Sequence, residues 1–271
     1  MSSNISVLFF GDIVGRPGRC ALQKVLSSGN EDFKADFVIA NVENASHGFG
    51  LTNKNHDELL SYGIHCMTSG NHIFDKKDIY QFIDDSPVLI RPYNYHKSTR
   101  GLGYRLFENN ILVVNLLGKT FMNPVNCPFQ AIEDLSSELN FEDKIVIVDY
   151  HAEATAEKIS FAKYASNFGV KAVIGTHTHV QTADEKIIDD KCAYITDAGF
   201  TGSYDSVIGM DFEHSIKRLI TSIPERFDVA QSDTKQVNGV KIIFNKENNL
   251  PVEIKRINFV YNDSKEGEFE S

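Results

Sequence analysis

Apolar residues along the chain fall into short runs rich in β-branched and aromatic side chains, separated by polar stretches with helix-like spacing. Runs of this kind at 6–10, 37–41, 65–68, 145–149 and 172–174 predict strands. Between them, residues near 19–27, 54–62, 77–83 and 155–167 carry apolar side chains at helical intervals and predict helices. Thr155 stands where a helix cap is expected, and Gly169 where that helix should stop. Strand alternating with helix implies crossover units and a largely parallel or mixed sheet. Two pairs break the alternation. Residues 103–107 with 111–116, and 240–244 with 252–259, are joined by short polar turns and read as hairpins. Antiparallel strands should therefore flank the parallel core or form a second sheet packed on it.

A chain of 271 residues can bury one sizeable core. Residues 1–261 are accordingly expected to form a single domain, and the polar, acidic stretch 262–271 a short mobile tail. With 42% hydrophobic and 24% charged residues, the composition is that of a globular protein and excludes extensive disorder. The formal net charge of −10 argues against long duplex nucleic acid as a partner, because neutralising its phosphates needs clustered Lys and Arg. A small anionic substrate stays open where metal ions supply local positive charge. Cys20, Cys66, Cys127 and Cys192 are scattered, without a Cys-X-X-Cys pair. That excludes a zinc knuckle and a thioredoxin motif, and suits a reduced, cytoplasmic chain. No basic stretch precedes the apolar run 7–10, and the longest aliphatic run, 145–148, is far shorter than the roughly 20 residues of a membrane helix. No membrane partner is expected, and a homo-oligomer is left open.

Candidate chemistry enters through position. Polar residues with metal-binding side chains follow five of the expected strands: Gly11-Asp12, Val42-Glu43-Asn44, Ser69-Gly70-Asn71-His72, Tyr150-His151 and Gly175-Thr176-His177-Thr178-His179. In a sheet of crossover units those strand ends share one edge, where such folds bind ligands. Each cluster alone has an ordinary explanation: Asp12 as a strand stop, Glu43-Asn44 as a solvated loop, His151 as a half-buried structural histidine. His177 and His179 say more, since they face one side if the strand stays extended. Occurring together and in this order, the clusters point to a metal site.

At these residues the chain resembles the calcineurin-like metallophosphoesterase superfamily, and more narrowly its YmdB-like group of 2′,3′-cyclic-nucleotide phosphodiesterases. Gly11-Asp12-Ile13-Val14-Gly15-Arg16-Pro17-Gly18 matches that group's opening motif, and Asp197-Ala198-Gly199 with Thr201-Gly202 and 205–209 a later one. The resemblance implies a layered α/β sandwich of mixed, mostly parallel sheets flanked by helices. It also implies a dinuclear centre, with Asp12, Glu43, Asn44 and His179 on one ion and Glu43, Asn71, His151 and His177 on the other. The wider superfamily carries His where Val14 stands and Asp where Glu43 stands, so Asn44 is the substitute for the lost His. Carboxylate, amide and imidazole donors suit iron first and manganese next, with zinc or magnesium after them, as divalent or mixed-valence ions. Two cations about 3.5–4 Å apart lower the pKa of a bridging water and orient it for in-line attack on phosphorus. By the same resemblance His72 is not a ligand but assists the leaving group, and opening at the 2′ oxygen gives a 3′-monophosphate. The plainer role for His72 is a hydrogen bond to Asp75.

Other motifs fail. Gly118-Lys119-Thr120 lacks the first glycine of a phosphate loop, with Val113 in its place. His151-Ala152-Glu153 is not followed by the Pro-Cys-X-X-Cys of zinc deaminases, and Gly48-Phe49-Gly50 meets Asn53 where a dinucleotide loop needs its third glycine. Two alternatives stand beside the cyclic phosphodiesterase: a phosphomonoesterase or nuclease on the same site, and a regulatory binding protein organised by its metals.

Overall fold

Alternation along the first strand sets the architecture. In β1 (Asn4–Ile13), Ile5, Val7 and Phe9 point one way and Leu8 and Phe10 the other, and all are buried. A strand buried on both faces belongs between two layers. The computed structural model, which describes residues 4–226 and 228–264, shows these layers as two six-stranded sheets.

In chain order the elements after β1 are α1 (Gly15–Ser27), β2 (Phe37–Asn41), α2 (Asn53–Leu60), β3 (Cys66–Thr68), β4 (Tyr104–Leu106) and β5 (Ile111–Leu117). There follow α3 (Pro128–Leu139), β6 (Ile145–His151), α4 (Thr155–Ala165), β7 (Ala172–Thr176), β8 (Lys186–Ile188), β9 (Cys192–Ile195) and β10 (Phe200–Ser203). The chain continues through α5 (Phe212–Thr221), β11 (Thr234–Asn245) and β12 (Pro251–Asn262). The first sheet runs β12-β11-β10-β1-β2-β3, and the second β4-β5-β6-β7-β9-β8. Parallel strands occupy both centres, while β11, β12, β4 and β8 pair antiparallel at the flanks.

Between the sheets lies one apolar cluster fed from both, with Val7, Phe9 and Ile39 against Val113, Ile147 and Ile174. The outer face of the first sheet packs on α1 and α2 through Leu22, Val25 and Leu59. That of the second packs on α3 and α4 through Ile132, Leu135 and Phe161. The result is the layered sandwich expected from the sequence. Among the described residues no helix is long and apolar enough to cross a membrane.

Several local expectations need correction. Residues 77–83 form only a 3-10 turn over Lys77–Gln81, because Phe82 leaves helical geometry. Thr155 does not cap α4. It is the first helical residue, the cap position is Ala154 with no side-chain bond, and Glu157 in the first turn supplies the favourable charge. Gly169 does stop that segment, with a left-handed φ of 90° after a 3-10 extension. The mobile tail cannot begin at 262: Asn262 ends β12, and Asp263 bonds to Asp233 and to Lys24 Nζ. Residues 265–271 lie outside the described residues. The short β8, β9 and β10 and the helices α3 and α5 add to what periodicity predicted.

Candidate metal centre

The C-terminal ends of β1, β2, β3, β6 and β7 reach one rim of the sandwich, and the expected site residues gather there. Glu43 Oε1 lies 3.0 Å from His151 Nε2, Asn71 Oδ1 3.1 Å from the same nitrogen, and His177 Nδ1 also 3.1 Å from it. Asp12 Oδ1 is 3.7 Å from His179 Nε2 and 4.0 Å from His151 Nδ1, too long for hydrogen bonds. Donor atoms of Glu43, His151 and His177 all lie within 4.8 Å of one another. Asp12, Glu43 and His151 are almost entirely buried.

What each ring does with its second nitrogen decides what the site can hold. Thr176 Oγ1 gives its single proton to Asp149 Oδ1 at 2.6 Å, so the 2.9 Å contact from His151 Nδ1 has the ring donating. His179 Nδ1 donates to the Ile208 carbonyl at 2.8 Å, and His177 Nε2 to Glu153 Oε2 at 3.1 Å. All three imidazoles are thus tied outward, which turns His151 Nε2 toward Glu43 and Asn71 oxygens, His177 Nδ1 toward His151 Nε2, and His179 Nε2 toward Asp12. Side-chain acceptors therefore crowd one another at this rim.

Two buried oxygens underline this: Asp12 Oδ1 and Asn44 Oδ1 have no hydrogen-bond partner. Asn44 Nδ2 donates to the Gly48 carbonyl, which identifies Oδ1 as the amide atom left over. Leaving such atoms unsatisfied costs about 1–3 kcal/mol each, an expense a cation removes. The electrostatics agree. Burial raises the Asp12 and Glu43 carboxyls, yet the neighbouring histidines pull both below the ordinary carboxylate range. Burial likewise opposes charge on His151, but Glu43 and Asp12 push it up to about 9. Burial, and then the charge of His151, push His177 down to about 3. The carboxylates thus favour positive charge at His151, where a cation would take the place of a proton. The donor set fits metal ions.

Close approach at this rim demands glycine. A Cβ on Gly70 would lie 2.4 Å from both Glu43 Oε2 and His151 Nε2. His177 and His179 do not continue β7 as an extended strand, since their φ angles are 106° and 63°. They reach the site on a left-handed turn, held where Asp197 Oδ2 accepts from Thr178 N and from the buried Lys158 Nζ. His72 stands beside the cluster. Its backbone N donates to Glu43 Oε2, its Nδ1 pairs with Asp75 Oδ2 at 2.7 Å, and its ring meets Phe49 edge-on.

With this geometry in view, the relatives fall into place. A family model described as YmdB-like protein matches residues 8–257. The chain belongs to the YmdB-like family. It is 43% identical over 254 residues, 93% of this chain and 96% of the relative, to the 2′,3′-cyclic-nucleotide 2′-phosphodiesterase of Bacillus subtilis. Solved structures share its fold. A novel phosphatase from Mycoplasma pneumoniae superposes with a TM-score of 0.89 at 33% identity, covering 97% of this chain and 96% of its own. A hypothetical protein from Thermus thermophilus gives 0.87 at 36%, covering 95% of this chain and 99% of its own.

Sequence reasoning missed the outer partners Thr176, Asp149, Glu153 and Lys158. Thr176 and Asp149 sit inside apolar strands, where one polar residue gives no periodic signal. Asp197 lay within a quoted motif without a role.

Proposed function

We propose that this chain hydrolyses 2′,3′-cyclic nucleotides to 3′-monophosphates at a dinuclear metal centre. Its named relatives are a phosphodiesterase and a phosphatase, and the chain is a phosphoric ester hydrolase. Asp12, Glu43, Asn44 and His179 would hold one ion, and Glu43, Asn71, His151 and His177 the other, with iron or manganese favoured by the donor set. When bound, the ions supply Lewis acidity and a nucleophile at neutral pH. The observation that carries this reading is the tying of three imidazoles outward, so that each can turn the lone pair of its other nitrogen inward.

The chain's own residues do the rest. Glu43 spans the two halves, with Oε1 toward His151 and Oε2 accepting from His72 N. Thr176 and Ile208 hold His151 and His179 in the tautomers that present Nε2 inward. With Nδ1 donating to Asp75, His72 Nε2 is the ring nitrogen left to face the departing 2′ oxygen, to which the doubly protonated ring would give its Nε2 proton. Four free thiols, Cys20 and Cys127 exposed, suit action in the reducing cytoplasm.

The test is product analysis after incubation with 2′,3′-cyclic AMP, 3′,5′-cyclic AMP, 4-nitrophenyl phosphate and RNA. The expected result is fastest turnover of 2′,3′-cyclic AMP, with adenosine 3′-monophosphate as product. Preference for 4-nitrophenyl phosphate or RNA would overturn the assignment.

A further inference from the structure

Beside the metal rim lies a cavity of about 370 Å³ whose walls include Arg16, His47, Phe49, Lys76 and Arg226. A chain of net charge −10 here gathers three full cations and a histidine, with the single carboxylate Asp228, around one space. Arg226 is partnered, 3.0 Å from Asp228. No carboxylate pairs with Arg16, His47 or Lys76 among the described residues, so the cavity keeps a surplus of positive charge. Arg16 also stands in the first turn of α1, where the helix dipole disfavours a cation and no acidic residue offsets it. Arg16 is exposed there, so its guanidinium is open to an anion in the cavity.

The walls are continuous with the candidate centre. The Asn44 carbonyl accepts from Gly15 N, next to Arg16, and Asn44 Nδ2 donates to the Gly48 carbonyl, next to His47. Phe49 packs 4.9 Å from the His72 ring, centroid to centroid. His47, Gly48 and Gly50 all have left-handed φ, and the stem of Lys76 lies where a Cβ on Gly50 would be. The loop packs closely on Lys76, and the Phe49 ring stands between the cavity and His72.

We propose that this cavity is a second anion subsite, which receives the phosphate on the 5′ side of the cyclic nucleotide. The inference rests on the phosphodiesterase reading above and names the substrate feature that the site selects. Two sources carry that chemistry, the 5′-phosphate of a mononucleotide and the internucleotide phosphate of a short oligoribonucleotide. Arg16 supplies a planar donor fork for phosphate oxygens and Lys76 a point charge.

The experiment has a binding arm and a kinetic arm. Titration calorimetry compares adenosine 3′,5′-bisphosphate with adenosine 3′-monophosphate on the wild type and on Arg16→Gln/Lys76→Gln. The expected result is about tenfold tighter binding of the bisphosphate by the wild type, a preference lost in the variant. Equal affinities in the wild type, or a preference kept in the variant, would overturn the subsite. If the double variant does not fold, Lys76→Gln alone is read in the same way, with a smaller loss expected. In the kinetic arm, kcat/KM is compared for 2′,3′-cyclic AMP, its 5′-phosphorylated form and a diadenosine ending in a 2′,3′-cyclic phosphate. A gain for the diadenosine assigns the subsite to the internucleotide phosphate, and a gain for the 5′-phosphorylated form alone to the monoester. Turnover of all three at equal rates would contradict the subsite and leave the phosphodiesterase intact. No turnover of any would sink the phosphodiesterase reading, while the binding arm still decides whether a second phosphate is held.

Discussion

Asp12, Glu43 and Asn71 leave β1, β2 and β3 at or just past their strand ends, whereas His151, His177 and His179 depend on further hydrogen-bonded groups from other segments of the chain. Hydrogen-bonded strands position the acidic half, and its side chains have few other partners. The imidazole half needs the Asp149–Thr176 pair to orient His151, the Lys158–Asp197 pair to hold the turn at Thr178, and the Ile208 carbonyl to orient His179. The difference is chemical. A carboxylate can meet a cation with either oxygen, but an imidazole must present the correct nitrogen in the correct tautomer. Precision is therefore built where the ligand is least forgiving.

The largest effect that would break this contrast comes from Lys158, which is fully buried with Asp197. Lys158→Met leaves that carboxylate uncompensated and should lower the unfolding free energy by about 3–5 kcal/mol. Urea denaturation of Lys158→Met and of Lys158→Met/Asp197→Asn measures it, with part of the loss recovered in the double variant. A change as small as that of an exposed pair, at most about 1 kcal/mol, would mean the pair does not hold the turn.

A smaller effect separates orientation from stability. Thr176→Val keeps the shape of the side chain but removes the acceptor for His151 Nδ1, and metal affinity should fall by about 10–100-fold. Competition with a chelator reads the affinity. Unchanged affinity would place the orienting role elsewhere.

The smallest is a gain. Ile208, a β-branched residue at a φ of 49°, stores strain where its carbonyl holds His179. Ile208→Gly should raise stability by up to about 1 kcal/mol in thermal unfolding while turnover falls. Equal turnover would show that the strain has no bearing on the site.

The sequence made the acidic half readable for the same physical reason that it is simple. Gly11-Asp12, Glu43 and Asn71 follow short continuous apolar runs, so strand prediction carried these residues with it. The second sheet yielded His151, His177 and His179 as residues but not as geometry. Extended backbone after β7 was the natural expectation, and only contacts distant in sequence, such as Lys158 with Asp197, impose the left-handed turn. Both hairpins followed from patterning and the layered architecture from the family resemblance, while β10 escaped because Phe200-Thr201-Gly202-Ser203 is short and carries a glycine. The cation-lined cavity was invisible for a related reason: Arg16, His47, Lys76 and Arg226 come from four separate segments.

On the proposed function, residues of opposite sheets would meet around a pair of metal ions bridged by Glu43. Elemental analysis of freshly purified wild type and Glu43→Gln, each checked for folding, tests it most directly. The account predicts about two transition-metal ions per chain in the wild type and loss of at least one in the variant. A wild type free of bound metal after purification without chelator, and still active, would contradict it.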